Sequence, residues 1–222
     1  MNIAAIGSIK RLEALQRVLS SVALEFTGFE STKNIDLSNF NLIFDLNFDD
    51  HLDLSSYMNL PQNPILCLNT IKVQLEAFVP PSLVNNVVGI NALPTFLERK
   101  SIECSTLSSQ LDLDFFKKLG WEQIHLVKSR VGMVSPRVIF MIINEAYFTL
   151  EEGTANREDI DKGMKLGTAY PFGPFEWSQL VGIDVVYETL LAIKTDTGDE
   201  RYKICNLLKT DYLFFKSYEL QA

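Results

Sequence analysis

A general base working near neutral pH is most often a histidine, and this chain has two, His51 and His125. His125 lies inside an alternating run, Gln123 to Lys128, that reads as a strand; His51 follows the apolar run Asn41 to Leu46. Both settings suit a structural or solvated imidazole better than a reacting one. Cys67, Cys104 and Cys205 are far apart and odd in number, which fits neither metal-ligand spacing nor a disulfide framework. No metal site is expected. The remaining chemical signal is Gly7. It closes the short apolar run Asn2 to Ile6, Ser8 follows as a helix N-cap, and Leu12, Leu15, Val18 and Leu19 form a helical apolar face. Strand, glycine turn and helix in that order can aim backbone N–H groups at a phosphate. The full dinucleotide pattern G-x-G-x-x-G would put two more glycines at Ile9 and Leu12, where bulky side chains stand instead. Glu30 follows a candidate second strand, Ala23 to Phe29, at the place of a ribose-binding acid, and reads more simply as a solvated carboxylate.

The elements that must position these residues follow from the apolar runs. Asn41 to Leu46, Pro64 to Thr70 and Val87 to Leu93 read as buried strands, and Gln123 to Lys128 as the last of the sheet. A helical stretch is expected from Lys72 to Phe78, and a short helix from Leu111 to Leu119 closed by Gly120. Beyond a boundary near Lys128 to Met133 the pattern turns wholly helical. Arg137 to Glu152 is apolar on several faces, as in a bundle or a dimer interface. Asn156 caps the next helix with Asp159 three residues on, and Tyr170-Pro171-Phe172-Gly173-Pro174-Phe175 makes a rigid corner. Helices follow over Glu176 to Leu180, Asp184 to Ile193 and Tyr202 to Leu208, before an aromatic tail, Leu213 to Tyr218.

A chain of 222 residues with 47% hydrophobic and 22% charged residues can bury a core without staples. A net charge of −8 argues against a general nucleic-acid or anionic-membrane surface. Apolar runs stay short of a membrane span and the N-terminus lacks a signal-peptide layout. With odd, scattered cysteines, a soluble cytoplasmic protein is expected.

Four short strings then stand in order: Asp159-Ile160-Asp161-Lys162, Met164-Lys165-Leu166-Gly167, Tyr170-Pro171 with Gly173-Pro174-Phe175-Glu176, and Val181-Gly182-Ile183-Asp184. This run resembles the signature of the C-terminal domain of 3-hydroxyacyl-CoA dehydrogenases. The resemblance implies α/β plus all-α architecture: a shortened Rossmann-like parallel-sheet domain at residues 1–128, then a helical dehydrogenase C-terminal-like domain at 129–222. It implies NAD as cofactor, with Gly7 and Asn69 as cofactor-binding positions, and a homodimer formed through the helical domain.

Upstream the similarity is collinear and thinner. Asn69 and Thr70 match a family strand ending Ser-Asn-Thr-Ser, but Ile71 replaces the serine that hydrogen-bonds the substrate oxygen. Gly89 matches a Gly-x-His segment whose histidine is Asn91 here. Glu103 falls on the catalytic glutamate, with Lys100 also matching, and Pro136 replaces an active-site asparagine. The interval after Glu30 lacks an arm that reaches toward coenzyme A in the family. In that family the histidine takes the 3-hydroxyl proton and the glutamate orients it; an asparagine amide is not a base. The expectation is a 3-hydroxyacyl-CoA dehydrogenase-like protein whose hydride transfer to NAD is weak or lost. The alternative is a non-catalytic dimeric scaffold, or a binding protein for a nucleotide, an acyl-CoA or a protein partner.

Overall fold

The computed structural model describes residues 1–33 and 35–219. It begins with β1 (Ile3–Ile6) and α1 (Ile9–Ser20), then β2 (Thr27–Phe29), β3 (Leu42–Asp45), the one-turn helix α2 (Phe48–His51), β4 (Ile65–Asn69) and β5 (Val87–Ile90). β6 (Ser101–Ser105), the short α3 (Phe115–Lys118) and β7 (Gln123–Leu126) complete a seven-stranded sheet of order β2-β1-β3-β4-β5-β6-β7. β1 to β5 pair in parallel; β6 runs antiparallel to β5, and β7 parallel to β6. Every residue of β1, β3 and β5 is buried. That is why these strands read as unbroken apolar runs rather than as an alternation.

The sheet separates two apolar clusters, one on each face. Ala5, Phe44, Cys67, Val88 and Ile102 pack against Leu15 and Leu19 of α1 and Phe116 of α3. Ala4, Ile6, Ile43, Leu66 and Leu68 point the other way, onto Phe48, Tyr57 and Leu75. The second face is covered by single turns, at Phe48–His51, Ser55–Tyr57, Leu75–Ala77 and Pro81–Leu83, and by the loops between them. The helix expected from Lys72 to Phe78 is one of these turns. Pro80 and Pro81 follow it closely and cannot continue a helix.

Other expectations are corrected by the same geometry. The strand expected from Ala23 is shorter, because Ala23 adopts a left-handed conformation (φ 55°) in the turn that ends α1. β6 is a strand that the apolar pattern does not reveal: Ser101-Ile102-Glu103-Cys104-Ser105 is short and half polar, although four of its five residues are buried. Glu103 thus sits in the middle of a strand.

From Val134 the chain forms a second compact unit. Its helices are α4 (Ser135–Glu151), α5 (Arg157–Thr168), α6 (Pro174–Val181), α7 (Ile183–Thr197) and α8 (Asn206–Glu219). α4 buries Phe140, Ile143, Asn144 and Tyr147. The Asn144 amide joins it to the segment before α8, donating to the Lys203 carbonyl at 2.9 Å and accepting from the Cys205 N–H at 2.9 Å. Tyr187 of α7 stacks on Tyr212 of α8 with centroids 4.2 Å apart. The last helix therefore runs later than Tyr202 to Leu208, and the aromatic segment Leu213 to Tyr218 is part of it. Among the described residues no helix is long and apolar enough to cross a membrane, and no metal-ligand cluster occurs.

The corner between α5 and α6 explains the signature residues. Asp161 Oδ1 and Oδ2 accept the N–H groups of Phe175 (2.8 Å) and Glu176 (3.0 Å), satisfying the first turn of α6. A Cβ at residue 173 would collide with that carboxylate, so glycine is required there. Glu176 Oε2 accepts from the Gly173 N–H at 3.3 Å and from Lys165 Nζ at 2.9 Å. Asp161, Lys165, Gly173 and Glu176 thus form one joint.

Candidate functional site

The parallel strands end in register. Ile6 lies beside Asp45, Asp45 beside Leu68, and Asn69 beside Ile90. Gly7, Asn47, Asn69 and Asn91 therefore gather at one end of the sheet. In an open α/β sheet, ligands bind outside this end, where the strand order reverses. Here that point is between β1 and β3.

The reversal point is filled by the chain itself. The Ser8 N–H, first donor of the turn into α1, is taken by Asn47 Oδ1 at 3.1 Å. A Cβ on Gly7 would stand 3.0 Å from Leu46 Cβ and 3.3 Å from Asn47 Oδ1. Arg11, on the first turn of α1, donates to the Leu46 carbonyl and lies 4.0 Å from both Asp49 Oδ1 and Asp50 Oδ2. Asp49 Oδ1 accepts from Asn69 Nδ2 at 2.8 Å, and Asp49 Oδ2 from the Lys72 N–H at 3.2 Å; Lys72 Nζ pairs with Asp50. Asn69 Oδ1 in turn accepts the Ala92 N–H at 3.0 Å. The Asp49 side chain is 1% exposed, and its burial raises its pKa, opposed by Arg11 and Lys72.

Gly7 and Asn69, the two positions assigned to cofactor binding, are thus both committed to internal contacts. A dinucleotide pyrophosphate does not fit here. The Ser8 N–H is taken by Asn47, and Ile9 and Leu12 stand where the pattern's other two glycines would let the pyrophosphate approach and the helix pack closely.

The positions assigned to catalysis do meet. Asn91 follows β5 and Glu103 lies opposite it on β6, joined by Asn91 N–H to the Glu103 carbonyl at 3.1 Å. Asn91 Nδ2 is 3.4 Å from Glu103 Oε2, while Asn91 Oδ1 accepts the Leu93 N–H at 3.3 Å. Both side chains are buried. Lys100 turns outward to Glu122 instead, at 2.8 Å. Ile71 is fully buried and offers only its carbonyl, which accepts the Gly132 N–H at 2.6 Å. Gly89 leaves room for the Thr70 and Ser105 hydroxyls, which a Cβ would strike; Ser105 Oγ has no hydrogen-bond partner among the described residues. Pro136 is the second residue of α4, and Glu30 and His125 are exposed.

His51 is not a free base. Its Nε2 lies 2.9 Å from Asp45 Oδ2 and its Nδ1 accepts the Asp53 N–H at 3.1 Å. Tyr57 donates its hydroxyl to the same Asp45 oxygen at 2.6 Å. The hydrogen bond to Asp45 is the main cause of a raised His51 pKa. Burial pushes the Cys67 thiol well up and the Cys104 thiol up to about 12.

Sequence reasoning did not find Arg11, Asn47, Asp49 or Lys72. One trace of them was legible. Arg11 shares the buried face of α1 with Ala14, Leu15, Val18 and Leu19, and a cation at that place demands a buried anion.

Residues 132–213 match the family model described as 3-hydroxyacyl-CoA dehydrogenase, C-terminal domain. The 3-hydroxyadipyl-CoA dehydrogenase of Escherichia coli is 40% identical over 88 residues, covering 40% of this chain and 18% of that protein. A probable 3-hydroxybutyryl-CoA dehydrogenase of Bacillus subtilis is 30% identical over 67% of this chain and 54% of its own length. The 3-hydroxybutyryl-CoA dehydrogenase of Clostridioides difficile is 27% identical over 90% of this chain and 73% of its own. The chain thus spans about a fifth and about half of the first two relatives. Among solved structures, (S)-3-hydroxybutyryl-CoA dehydrogenase from Ralstonia eutropha shares the fold, with a TM-score of 0.66 at 21% identity over 94% of this chain and 92% of that one. With the helical signature matched, the similarity reaching into the sheet and the fold in common, the chain belongs to the 3-hydroxyacyl-CoA dehydrogenase family.

Proposed function

We propose that this chain is a family member that has kept the fold and lost hydride transfer between a 3-hydroxyacyl-CoA and NAD, serving instead as a dimeric, non-catalytic module. The observation that carries this reading is the buried pair Asn91 and Glu103. Removing a proton from the 3-hydroxyl needs a base at the place of Asn91, and an amide committed to Leu93 and Glu103 has no basic lone pair to offer. Loss of a general base costs about 10²–10⁴ in rate. Ile71 removes a hydrogen bond to the reacting oxygen as well, so the losses fall on one cooperating site and do not simply add.

Dimerisation is supported by α4. Val134, Val138, Met141 and Ile142 share a face at helical spacing, and Val138 is 53% exposed. The relatives' names give 3-hydroxyacyl-CoA thioesters as the compounds to test. NADH consumption with acetoacetyl-CoA is expected at background for the wild-type chain and for I71S/N91H. Turnover by the wild type comparable to an ordinary dehydrogenase would sink the reading.

A further inference from the structure

Both ring nitrogens of His51 are engaged, and their two partners favour opposite charge states. Nε2 lies 2.9 Å from Asp45 Oδ2. That carboxylate is fully buried and fixed by two further donors, the Asn47 N–H at 3.2 Å and the Tyr57 hydroxyl at 2.6 Å. Nδ1 lies 3.1 Å from the Asp53 backbone nitrogen. An N–H can only donate, so this contact keeps Nδ1 unprotonated and puts the proton of the neutral ring on Nε2, toward Asp45. A second proton sets a new N–H on Nδ1 against that of Asp53, and the contact cannot persist. Asp45 holds the other side of the ring, so the Asp53 segment is the part that must move. We propose that the exposed turn Leu52–Ser55 is a pH-sensitive switch, presenting the Asp53 N–H to a neutral His51 and the Asp53 carboxylate to a charged one.

Charge and backbone geometry favour the change. The titratable groups that face the ring are acidic: Asp45 from β3, Asp50 from α2 itself, Asp53 from the turn, and Tyr57 beyond it on the same Asp45 oxygen. The apolar neighbour is Phe48, edge-on to the imidazole. Asp50 is already paired with Lys72. Asp53 is exposed, and the Ser55 N–H holds its carboxyl below the ordinary range, so it stays ionised while His51 titrates. To reach the imidazolium it has to leave that N–H, now 2.8 Å away. Leu52, between ring and carboxylate, is left-handed (φ 53°, ψ 30°), a conformation unfavourable for a residue with a bulky side chain. In the neutral arrangement that strain is kept in order to aim the Asp53 N–H at Nδ1; turning Asp53 away releases it. Leu52 is therefore the hinge, and its strain favours the charged ring although it has no charge of its own. The hydrogen bond to Asp45, first among the causes that raise the His51 pKa, puts the change on the alkaline side of pH 6.5.

Heteronuclear NMR of the intact, isotope-labelled chain between about pH 5 and 9 tests this. The His51 ring and the Asp53 amide are expected to titrate with one midpoint, with Nδ1 unprotonated at the alkaline end and the Asp53 amide exchanging faster with solvent at the acid end. An Asp53 amide that does not follow the ring overturns the proposal, as does a ring that keeps one charge state throughout. Leu52→Gly removes the strain of the hinge and is expected to weaken proton binding by His51 about threefold or more, moving the midpoint down. An unchanged or higher midpoint overturns the hinge and the switch with it. Asp53→Asn keeps the backbone N–H and removes the charge, so the midpoint is again expected to fall; an unaltered one overturns the exchange of N–H for carboxylate. If Leu52→Gly does not fold, the wild type and Asp53→Asn decide by the same outcomes.

Discussion

Nε2 of His51 lies 2.9 Å from the fully buried carboxylate of Asp45, so this imidazole titrates against the fold. Its pKa in the folded chain is raised above 6.5, first through the hydrogen bond to Asp45. The folded state therefore holds the proton more tightly than the unfolded one. The resulting stability is fully present below pH 6.5 and is lost as pH rises through the folded value. Chemical denaturation across that interval should give a declining midpoint for the wild type and a flat one for His51→Ala; an equal slope in both would refute the assignment. At this same scale the sequence was partly legible. Asn91 and Glu103 could be brought together on paper because family spacing placed them, and the fold does place them opposite each other. Asp45, Tyr57 and His51 could not, since only the turn at Ser55–Tyr57 folds the phenol back onto β3.

Asp161 belongs to α5 yet caps α6, taking two N–H groups of its first turn. Its replacement by alanine should cost about 0.5–2 kcal/mol, as for loss of an N-cap, read as a lower midpoint in urea at unchanged slope. Asp161→Asn, which keeps acceptor capacity, should recover part of the loss; an Asn variant no better than Ala would argue that charge rather than hydrogen bonding matters here. The central strands were legible because double-sided burial writes itself as an apolar run. β6 was not, because alternating polar positions in a five-residue stretch are indistinguishable from loop. α8 was misplaced because its apolar residues, Leu213 and Phe214 among them, stay exposed and blur the helical period.

For the molecule as a whole, the decisive interactions join residues far apart in sequence, and composition could not have announced them. Arg11 and Asp49 are separated by two strands and a crossover, and their pairing exists only because β3 lies beside β1. Assembly is the corresponding prediction. Light scattering should give twice the chain mass, and Val138→Asp, which sets a carboxylate on the exposed face of α4, should give the monomer with its helical content intact. A wild-type monomer at all concentrations would end the dimer proposal. One feature of the sheet bears on behaviour in a crowded solution. Its two outer strands, β2 and β7, are three and four residues long. β7 leaves Leu126 61% exposed, an invitation to a neighbouring strand. So short a free edge can template only a few backbone hydrogen bonds, and Glu122 and Lys128 flank it with charge. Resistance to edge-to-edge aggregation in this protein is therefore a matter of strand length, a property that mutations lengthening β7 would erode before they touched its stability.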